Sequence, residues 1–284
     1  MKTETILIVG ASGTVGSGIV RELKNMNLNL RVTTSQASKV GKVGNVETVL
    51  LNVATGEGLS AAFSGVDRAF LLSPPGYADH YKTLSPLIQE AKKQNLSKVV
   101  LMTAMGANAD ERTPFRRAEI ELEKSGLKYN IIRPNWFLQN FNTFWVGGIR
   151  EQSKILLPAG KASVSFIDTA DVSAVAAKLL VDDSFANQDF DLSGPAAVSH
   201  DEVAAAISKA TDKIIEYQEI APEVLKGGLL SAGLPSDYVD FMMLIFGFLR
   251  EGYNSRTTDN VQKIIGRGPR SLDQYAAANR SAWV

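Results

Sequence analysis

Residues 6–16 read Ile-Leu-Ile-Val-Gly-Ala-Ser-Gly-Thr-Val-Gly, an apolar run that leads directly into three spaced glycines. The apolar run predicts a buried strand, and the residues that follow predict the start of a helix. In this order Gly10 permits a tight turn, Gly13 lets the backbone approach a pyrophosphate, and Gly16 lets the helix pack closely on the sheet. The free N–H groups and the dipole at the helix start would then hold the phosphates. The stretch therefore predicts a dinucleotide-binding loop.

The rest of the first half alternates short apolar runs with stretches of helical spacing. This alternation is typical of βαβ units in a parallel sheet, and right-handed crossovers place the helices on both faces. We therefore predict an α/β fold with a doubly wound parallel sheet of the Rossmann type. The predicted strands are 5–9, 31–34, 46–51, 68–72, 98–102 and 129–133, and the predicted helices include 15–26, 80–94 and 115–125.

The second half is less regular and predicts a smaller, mainly helical C-terminal lobe. Its helices are indicated by apolar spacing and by side chains that cap helix starts. The predicted elements are a helix over 171–181 with Asp171 as N-cap, a strand at 190–192, a helix over 199–210 opened by a capping box of Ser199 and Glu202, and a helical cap from 214 to about 256.

The dinucleotide-binding domain and the C-terminal lobe are not separated at a single position in the chain, because sheet elements near 165–193 are expected to belong to the first domain. The dinucleotide-binding domain would comprise residues 1–134 plus about 165–193. The substrate lobe would comprise residues from about 135 to 164 plus 194–284.

Composition excludes several classes of protein. Lys and Arg together number 30, as do Asp and Glu, so the net charge is zero and there is no basic excess for nucleic acid or an anionic membrane. The absence of cysteine excludes disulfides, thiolate catalysis and zinc–sulfur sites. His80 and His200 are too few for a histidine metal cluster. We therefore predict no metal, no nucleic-acid partner and no membrane partner, while a homodimer is compatible with the sequence.

The longest apolar run, 241–249, is too short to span a membrane, which needs about 20 apolar residues. It must be covered by the protein itself, by a ligand or by a partner. The N-terminal apolar run ends in glycine and lacks the layout of a signal peptide. Together with the missing cysteines, this favours a cytoplasmic location.

The end of the second predicted strand indicates which dinucleotide binds. An NAD-selective fold places Asp or Glu there, where it binds the ribose 2′-hydroxyl. Residues 33–39 read Thr-Thr-Ser-Gln-Ala-Ser-Lys and contain no carboxylate. A 2′-phosphate would meet hydroxyls and one lysine there instead of a repelling charge. We therefore predict that NADP(H) is preferred over NAD(H), with Thr34, Ser35 and Lys39 around the 2′-phosphate.

Five segments of the chain occur in an order that is characteristic of one family. They are the glycine loop at 10–16, Leu-Leu-Ser-Pro-Pro-Gly at 71–76, Ser-Gly-Leu-Lys-Tyr-Asn-Ile-Ile-Arg-Pro-Asn at 125–135, Phe-Ile-Asp-Thr-Ala-Asp-Val at 166–172, and the tail at 258–272. Together they resemble the NmrA-like branch of the atypical short-chain dehydrogenase/reductases. Within that branch the segments resemble those of bacterial NADPH-dependent quinone oxidoreductases and triphenylmethane reductases.

The resemblance implies a roughly six-stranded parallel sheet, with NADPH across the strand ends and a small C-terminal substrate lobe. It also implies roles for residues that match the family's motifs. Ser12, Thr14 and Val15 would line the diphosphate. Ser73 and Pro74 would lie alongside the adenosine and ribose. The nicotinamide would be bordered by Thr103, Pro134, Asn135 and Trp136.

Two departures concern catalysis. The wider superfamily uses a Tyr-x-x-x-Lys pair for proton transfer, and no tyrosine here is followed by lysine four residues later. Relatives also tend to carry Lys or His four residues before a glutamate that corresponds to Glu119, and this chain has Phe115 there. The chain therefore lacks the family's usual candidate acid, and its catalytic residues are unknown from sequence.

The remaining candidates are aromatic or titratable side chains, each with two interpretations. Tyr77, His80 and Tyr81 follow Gly76 in a loop expected at the ligand end of the sheet, and one of them could donate a proton, with Tyr77 and Tyr81 as the weak candidates; otherwise they are ordinary helix-start or surface groups. Asp168 and Asp171 are better explained by helix capping and lobe-fixing hydrogen bonds than as a catalytic pair. His200 is expected to be exposed. A hydrophobic substrate slot, or alternatively a packed core between the lobes, is predicted from Gly76, Tyr77, Phe115, Phe137, Phe141, Phe144 and Trp145.

Three functional hypotheses follow. The first is an NADPH-dependent reductase that transfers a hydride to a quinone or a similar flat conjugated electrophile, a small hydrophobic aromatic substrate. The second is a non-catalytic NADP(H)-binding redox sensor that acts through a protein partner. The third, a sugar-nucleotide epimerase, is disfavoured by the missing Tyr-x-x-x-Lys pair and by the apolar lobe.

Overall fold

The computed structural model describes residues 3–284 and contains one large sheet and one small one. The central strands are short and apolar, as expected for strands buried on both faces. The strands are β1 Thr5–Ile8, β2 Asn29–Thr34, β3 Gly41–Val43, β4 Val46–Leu50, β5 Arg68–Leu72, β6 Lys98–Met102, β7 Lys128–Pro134, β8 Lys154–Leu157, β9 Gln188–Leu192 and β10 Glu216–Glu219.

The large sheet has eight strands in the order β3-β4-β2-β1-β5-β6-β7-β9. Seven of them run parallel, and only β3 pairs antiparallel, with its neighbour β4. The chain builds outward from β1 in one direction and then, from β5, in the other. The predicted doubly wound parallel sheet is therefore confirmed. The sheet exceeds the six strands that the resemblance implied, because β9 extends one edge and β3 the other.

Helices cover both faces of this sheet and build most of the second part of the molecule. They are α1 Thr14–Leu23, α2 Leu59–Phe63, α3 His80–Lys93, α4 Pro114–Glu123, α5 Val146–Gln152, α6 Thr169–Val181, α7 His200–Thr211, α8 Pro222–Ser231, α9 Ser236–Arg250, α10 Asn260–Ile265 and α11 Leu272–Ala278.

Alternate residues of each central strand serve two separate hydrophobic cores. In β1, Ile6 and Ile8 pack with α1, α6 and α10, whereas Leu7 packs on the opposite face with α2, α3 and α4. Successive side chains of a strand point to opposite faces of the sheet, so a strand covered on both sides is apolar throughout. This explains why the strand at the N-terminus appears in the sequence as an unbroken apolar run.

The helix that follows the glycine loop is held close to α6. A Cβ atom at Gly18 would lie 2.2 Å from the Ser173 Oγ, so only glycine allows this approach. The Ser173 hydroxyl lies 2.9 Å from the Val15 carbonyl, which adds a hydrogen bond between the two helices. The packing of α6 against α1 therefore fixes the position of the start of α1.

A third core fills the second part of the molecule and includes Phe141, Ile155, Ile207 and Trp283. The Trp283 indole donates a hydrogen bond of 2.9 Å to the Phe141 carbonyl, which ties the C-terminus into this core. The lobe is mainly helical, as predicted.

Residues 214–256, predicted as wholly helical, also contain the strand β10. This strand pairs in parallel with β8 to form the small sheet. Ile215 is buried and Tyr217 half-buried, whereas Glu216 between them is exposed. This period of two is the signal that an interpretation based only on helical spacing overlooked.

The start of α6 differs from the prediction by two residues. Asp168, and not Asp171, is the N-cap, and its side chain accepts a hydrogen bond of 2.8 Å from the Ala170 backbone. Asp171 lies in the first turn, where it accepts hydrogen bonds from the Arg267 side chain at 2.6 Å and the Arg270 backbone at 2.7 Å. The N-cap prediction for Asp171 is wrong. The more general interpretation, that both aspartates cap and fasten the structure, is confirmed.

Other capping predictions agree with the structure. Ser199 and Glu202 form the capping box that opens α7. The tail after 256 turns back to the first part of the molecule, and α10 packs on α6 through Val261 and Ile264. The domain limits given above stay a prediction, and α10 lies outside the substrate-side core although those limits assign it to the substrate lobe.

The apolar run 241–249 lies on α9. Phe246 and Leu249 are buried, whereas Leu244 is 56% and Phe248 47% exposed. The protein itself therefore covers one side of this helix. Throughout the described part of the chain, each helix is too short or too polar to cross a membrane.

His200 was predicted to be exposed, and this is wrong. Its ring is buried among Phe141, Phe166 and Tyr217, at centroid distances of 6.0, 5.5 and 5.3 Å. Neither ring nitrogen finds a hydrogen-bond partner among residues 3–284. Burial lowers the pKa of His200 to about 4, so the imidazole is neutral near neutral pH.

We expect the free energy of unfolding to fall as the pH drops from 6.5 towards about 4. The unfolded chain takes up a proton at His200 in this range and the folded chain does not, so acid favours unfolding. The full effect is about 3 kcal/mol, since one pKa unit corresponds to about 1.4 kcal/mol. Urea unfolding of a His200→Phe variant at several pH values should show a flatter profile than the wild type. Parallel profiles would contradict this account.

Candidate functional site

The turn after β1 needs glycine at two positions, Gly10 and Gly16, and is closed by a backbone hydrogen bond from Gly13. Gly10 has a φ of +77°, in the left-handed region, and a Cβ there would also lie 2.9 Å from the Leu72 side chain. Gly13 donates its N–H to the Gly10 carbonyl at 3.0 Å, which closes the turn, and is the N-cap of α1. At Gly16 a Cβ would lie 2.3 Å from the Gly10 carbonyl oxygen and 2.7 Å from the Ala11 Cα. The loop is therefore compact and backbone-lined.

This turn lies at the point where the order of the strands reverses. β1 has β2 on one side and β5 on the other, and α/β sheets bind ligands in the crevice outside such a reversal. Ser12, Gly13 and Thr14 are exposed, whereas Val15 and Gly16 are buried beneath them. The first turn of α1 carries no acidic residue. The helix start is therefore free to receive an anion.

The end of β2 is hydrogen-bonded to the glycine turn, and polar side chains follow it. The Thr33 hydroxyl, which is buried, accepts a hydrogen bond of 3.3 Å from the Gly10 N–H. Thr34 is half-buried and accepts from the Gln36 N–H at 3.1 Å, while Ser35 and Lys39 are exposed. Of the three residues predicted to surround a 2′-phosphate, Thr34 ends β2, Ser35 follows it, and Lys39 ends the short 3₁₀ turn Ala37–Lys39; their contact with a 2′-phosphate stays a prediction.

Beyond β5, three side chains form a small hydrogen-bonded network. The Ser73 hydroxyl lies 2.9 Å from the His80 Nδ1 and accepts a hydrogen bond of 2.7 Å from the Thr83 hydroxyl. Pro74, Gly76 and Tyr77 follow in the loop that leads to α3, and the half-buried Tyr238 on α9 hydrogen-bonds to the backbone of Gly76. Helix α9 therefore closes over the loop after β5.

The His80 ring is the meeting point of this loop with α4 and α9. It stacks on Phe115 with ring centroids 3.9 Å apart and meets the edge of Phe241 at 5.2 Å. Burial lowers the pKa of His80 to about 4, although nearby Asp79 acts in the opposite direction. The Nε2 atom is buried and has no hydrogen-bond partner in the described structure.

Thr103 directly follows β6 and contacts a buried ionic network. Its hydroxyl donates a hydrogen bond of 2.6 Å to Glu119, which is fully buried on α4. Arg133 on β7 binds the same carboxylate through two hydrogen bonds of 2.8 Å, and Arg116 adds a third contact at 3.0 Å. Burial opposes the charge of Arg133, but its hydrogen bonds with Glu119 and Asp189 raise the pKa overall. The Thr103 side chain is therefore held in one orientation.

The residues that follow β7 connect the two parts of the molecule. Pro134 is buried at the end of the strand, and the Asn135 amide donates to the Ser165 hydroxyl at 2.7 Å and to the Asn254 carbonyl at 2.8 Å. Trp136 packs against Phe246 with ring centroids 5.1 Å apart. The Asn135 side chain therefore links the end of β7 to the loops at Ser165 and Asn254.

The other aromatic residues predicted to form a substrate slot do not all lie together. Phe141 is wholly buried, with Trp145 at 4.9 Å from its ring, and Phe137 packs on the sheet-side core. Phe144 is 73% exposed. The packed-core interpretation thus describes Phe141, whereas Phe115 lies with Gly76 and Tyr77 at the ligand end of the sheet. The slot stays a prediction.

The two tyrosines suggested as proton donors lie in different surroundings. Tyr81 packs against the second sheet-side core, with the Arg117 guanidinium 3.9 Å above its ring. Tyr77 is half-buried in the loop beside Gly76. Their catalytic roles stay predictions.

Sequence reasoning missed several contributors to this site. Thr33, Gly18 and Tyr238 support the site through packing or hydrogen bonds with residues far along the chain, which no local pattern reveals. His80 and Phe241 were not missed as residues, because the sequence indicated His80 in the loop at the ligand end of the sheet and Phe241 in the apolar run that could add to the substrate slot. Their contact could not be inferred, because 160 positions separate them in the chain.

Fold and loop together define a dinucleotide-binding protein of the Rossmann class. The particular family is also clear: residues 2–276 match the model of the NmrA-like family, so the chain belongs to it.

Two curated relatives match over almost the whole chain. An uncharacterized oxidoreductase, YesF, of Bacillus subtilis is 30% identical over 100% of this chain and 98% of its own. An NAD(P)H azoreductase of Xenophilus azovorans is 30% identical over 98% of this chain and 99% of its own. Among solved structures, a Citrobacter sp. triphenylmethane reductase complexed with NADP(H) superposes with a TM-score of 0.81. It is 19% identical and covers 97% of this chain and 99% of its own, which supports the fold.

Proposed function

We propose that this protein is an NADPH-dependent reductase that transfers a hydride to a quinone or a similar flat conjugated electrophile. The observation that carries the proposal is the glycine turn at the strand reversal, where Gly10 adjoins Leu72 of the neighbouring strand β5. The next residue, Ser73, contacts His80, whose ring packs with Phe115 and Phe241. The Bacillus relative is named an oxidoreductase and the Xenophilus relative an azoreductase, and both names support this class of reaction.

The residues present fit a bound dinucleotide phosphate. The backbone-lined turn and the acid-free first turn of α1 suit a pyrophosphate next to Ser12, Gly13 and Thr14. Ser35 and Lys39 are exposed in the segment that follows β2, and residues 35–39 contain no carboxylate, which suits a 2′-phosphate. When bound, the cofactor supplies the hydride, and the residues after β6 and β7 border its reactive end.

The protein's own contribution to such a reaction is to hold two flat rings against each other and to exclude water. Phe115 and Phe241 supply apolar ring faces near the strand ends, and Tyr238 anchors α9 over the loop at Gly76. Thr103, oriented by Glu119, borders the same end of the sheet. A substrate that becomes a stabilised anion needs the least acid help, so quinones rank above simple ketones.

Incubation of the purified protein with NADPH and a panel of quinones, azo compounds and triarylmethane dyes tests this function. Loss of absorbance at the nicotinamide band reports turnover, and a parallel titration measures cofactor binding alone. Turnover of a panel member is the expected result. Tight NADPH binding without turnover would overturn the reductase and favour the second candidate, a redox sensor, which the replacement of the family's Lys or His by Phe115 supports.

The preference for NADPH should depend on Lys39. We expect Lys39→Glu to weaken NADPH binding roughly tenfold more than NADH binding, since a hydrogen bond to a charged group contributes about 1.5–3 kcal/mol. Fluorescence titrations with both cofactors measure the ratio. Lys24→Glu is the matched control, because Lys24 is equally exposed but lies at the opposite end of α1. Equal weakening of both cofactors by Lys39→Glu would remove Lys39 from the 2′-phosphate site.

A further inference from the structure

His80 presents a buried polar atom that the protein does not satisfy. The side chain is 6% exposed, and its Nε2 has no partner within the described structure, although Nδ1 is hydrogen-bonded to Ser73. A buried donor without a partner costs roughly 1–3 kcal/mol. Such an atom at the ligand end of a sheet is a candidate contact for a ligand.

The hydrogen-bond network around this imidazole can be arranged in two ways, because the Thr83 hydroxyl lies 2.7 Å from the Ser73 Oγ and 2.9 Å from the His80 carbonyl. When Thr83 donates to the carbonyl, Ser73 donates to Thr83 and accepts from Nδ1–H. When Thr83 donates to Ser73, Ser73 donates to the His80 Nδ1 at 2.9 Å, and the ring proton resides on Nε2. Burial keeps the ring neutral, so in this second arrangement Nε2–H is a hydrogen-bond donor for a ligand.

The His80 imidazole lies between aromatic side chains of two other helices. One of its faces is covered by Phe115 of α4, and Phe241 of α9 meets it edge-on. Phe241 is half-buried, so this aromatic contact reaches the protein surface. A flat aromatic ligand that reached Nε2 would therefore meet ring neighbours.

We propose that the Nε2–H of His80 donates a hydrogen bond to the carbonyl oxygen, or the azo nitrogen, of the electron acceptor. This inference rests on the proposed function and names its substrate class as acceptors with such an atom. Hydride addition places the electron pair on that oxygen or nitrogen, and the hydrogen bond to Nε2–H stabilises the resulting anion. The anion then takes one proton from water, so His80 itself gains and loses none.

A comparison of two acceptor types tests this role. A quinone becomes an anion on hydride addition, whereas a cationic triarylmethane dye becomes neutral and has no atom that needs the donor. His80→Phe keeps a ring against Phe115 and should lower kcat/KM for quinones about 100-fold, the typical effect of losing one such donor. It should lower kcat/KM for the dye only slightly. Equal losses for both, or no loss for quinones, would overturn the proposal.

Two further variants separate this role from a structural one. His80→Gln places an amide donor near the Nε2 position and should recover much of the quinone activity. His200→Phe makes the same substitution as His80→Phe at the other buried histidine and should leave the quinone-to-dye ratio unchanged. Failure of His80→Gln to exceed His80→Phe would count against the hydrogen bond.

Binding without turnover distinguishes failure of this inference from failure of the proposed function. In the presence of NADP+, which has no hydride to give, quinone binding can be followed through tryptophan fluorescence. We expect His80→Phe to weaken quinone binding several-fold while NADP+ binding is unchanged. If the wild type reduces nothing but this difference appears, the reductase proposal fails and the His80 contact stands. If quinone binds both proteins equally, the contact is absent.

Discussion

A Gly16→Ala variant should lose about 100-fold in affinity for NADPH, since forcing one methyl into a packed contact costs roughly 1–3 kcal/mol and each tenfold in affinity is about 1.4 kcal/mol. The new Cβ would lie 2.3 Å from the Gly10 carbonyl oxygen and 2.7 Å from the Ala11 Cα. Both are backbone atoms, so the loop itself must move. That movement would displace the N–H groups at the start of α1, which we propose as the phosphate site. Cofactor titration by fluorescence measures the loss.

Gly147→Ala is the matched control for this variant. Gly147 also lies within a helix, but a Cβ there meets no atom within 4 Å. Alanine has the higher helix propensity, so Gly147→Ala should leave cofactor affinity unchanged and stability equal or slightly greater. If Gly16→Ala bound NADPH as tightly as this control, the glycine turn would not be the phosphate site.

An Arg133→Met variant should lower the free energy of unfolding by about 3–5 kcal/mol, the usual cost of removing one partner of a buried ion pair. Arg133 is almost wholly buried and binds both oxygens of Glu119, which is fully buried. Without the guanidinium, that carboxylate keeps the Arg116 side chain and the Thr103 hydroxyl, which do not replace two buried hydrogen bonds. Urea unfolding near neutral pH measures the change.

Removing both charges of the pair should recover much of the free energy of unfolding that Arg133→Met loses. The double variant Glu119→Leu/Arg133→Met replaces both charges by apolar groups, and such replacements are often neutral or stabilising. By contrast, Arg112→Ala removes an exposed arginine that pairs with Asp110, and it should have little effect on unfolding. A loss below about 1 kcal/mol for Arg133→Met would show that the network is not a net source of stability.

Most of the sheet could be predicted because its strands have local signals. Each apolar run in the first half, from the strand before Gly10 to the one before Pro134, is observed within two residues of its predicted limits. β9 was also predicted from a short apolar run. β3 and β10 were not, since each is short and mostly exposed and depends on pairing with a neighbouring strand.

The site was predictable where backbone geometry requires glycine and less so where side chains meet across the fold. Gly10 and Gly16 have steric reasons that the motif already implied. The burial of His200 was missed because its neighbours Phe141, Phe166 and Tyr217 come from three separate segments. The contact between His80 and Phe115 was missed for the same reason. Sequence spacing describes one element at a time, whereas pockets are formed between elements.

The chain returns to the large sheet at 254–267, and this affects where its length can change. Asn254 is held by Asn135, Thr258 donates to the Asp191 carbonyl, and Arg267 binds Asp171, so the tail is attached again to the sheet side. Residues 194–253 therefore begin and end at points of the chain that are attached to the sheet side. Closing a longer loop costs only about 0.6 kcal/mol per doubling of its length. Length changes at the exposed turns of this segment are therefore expected to disturb the sheet side little.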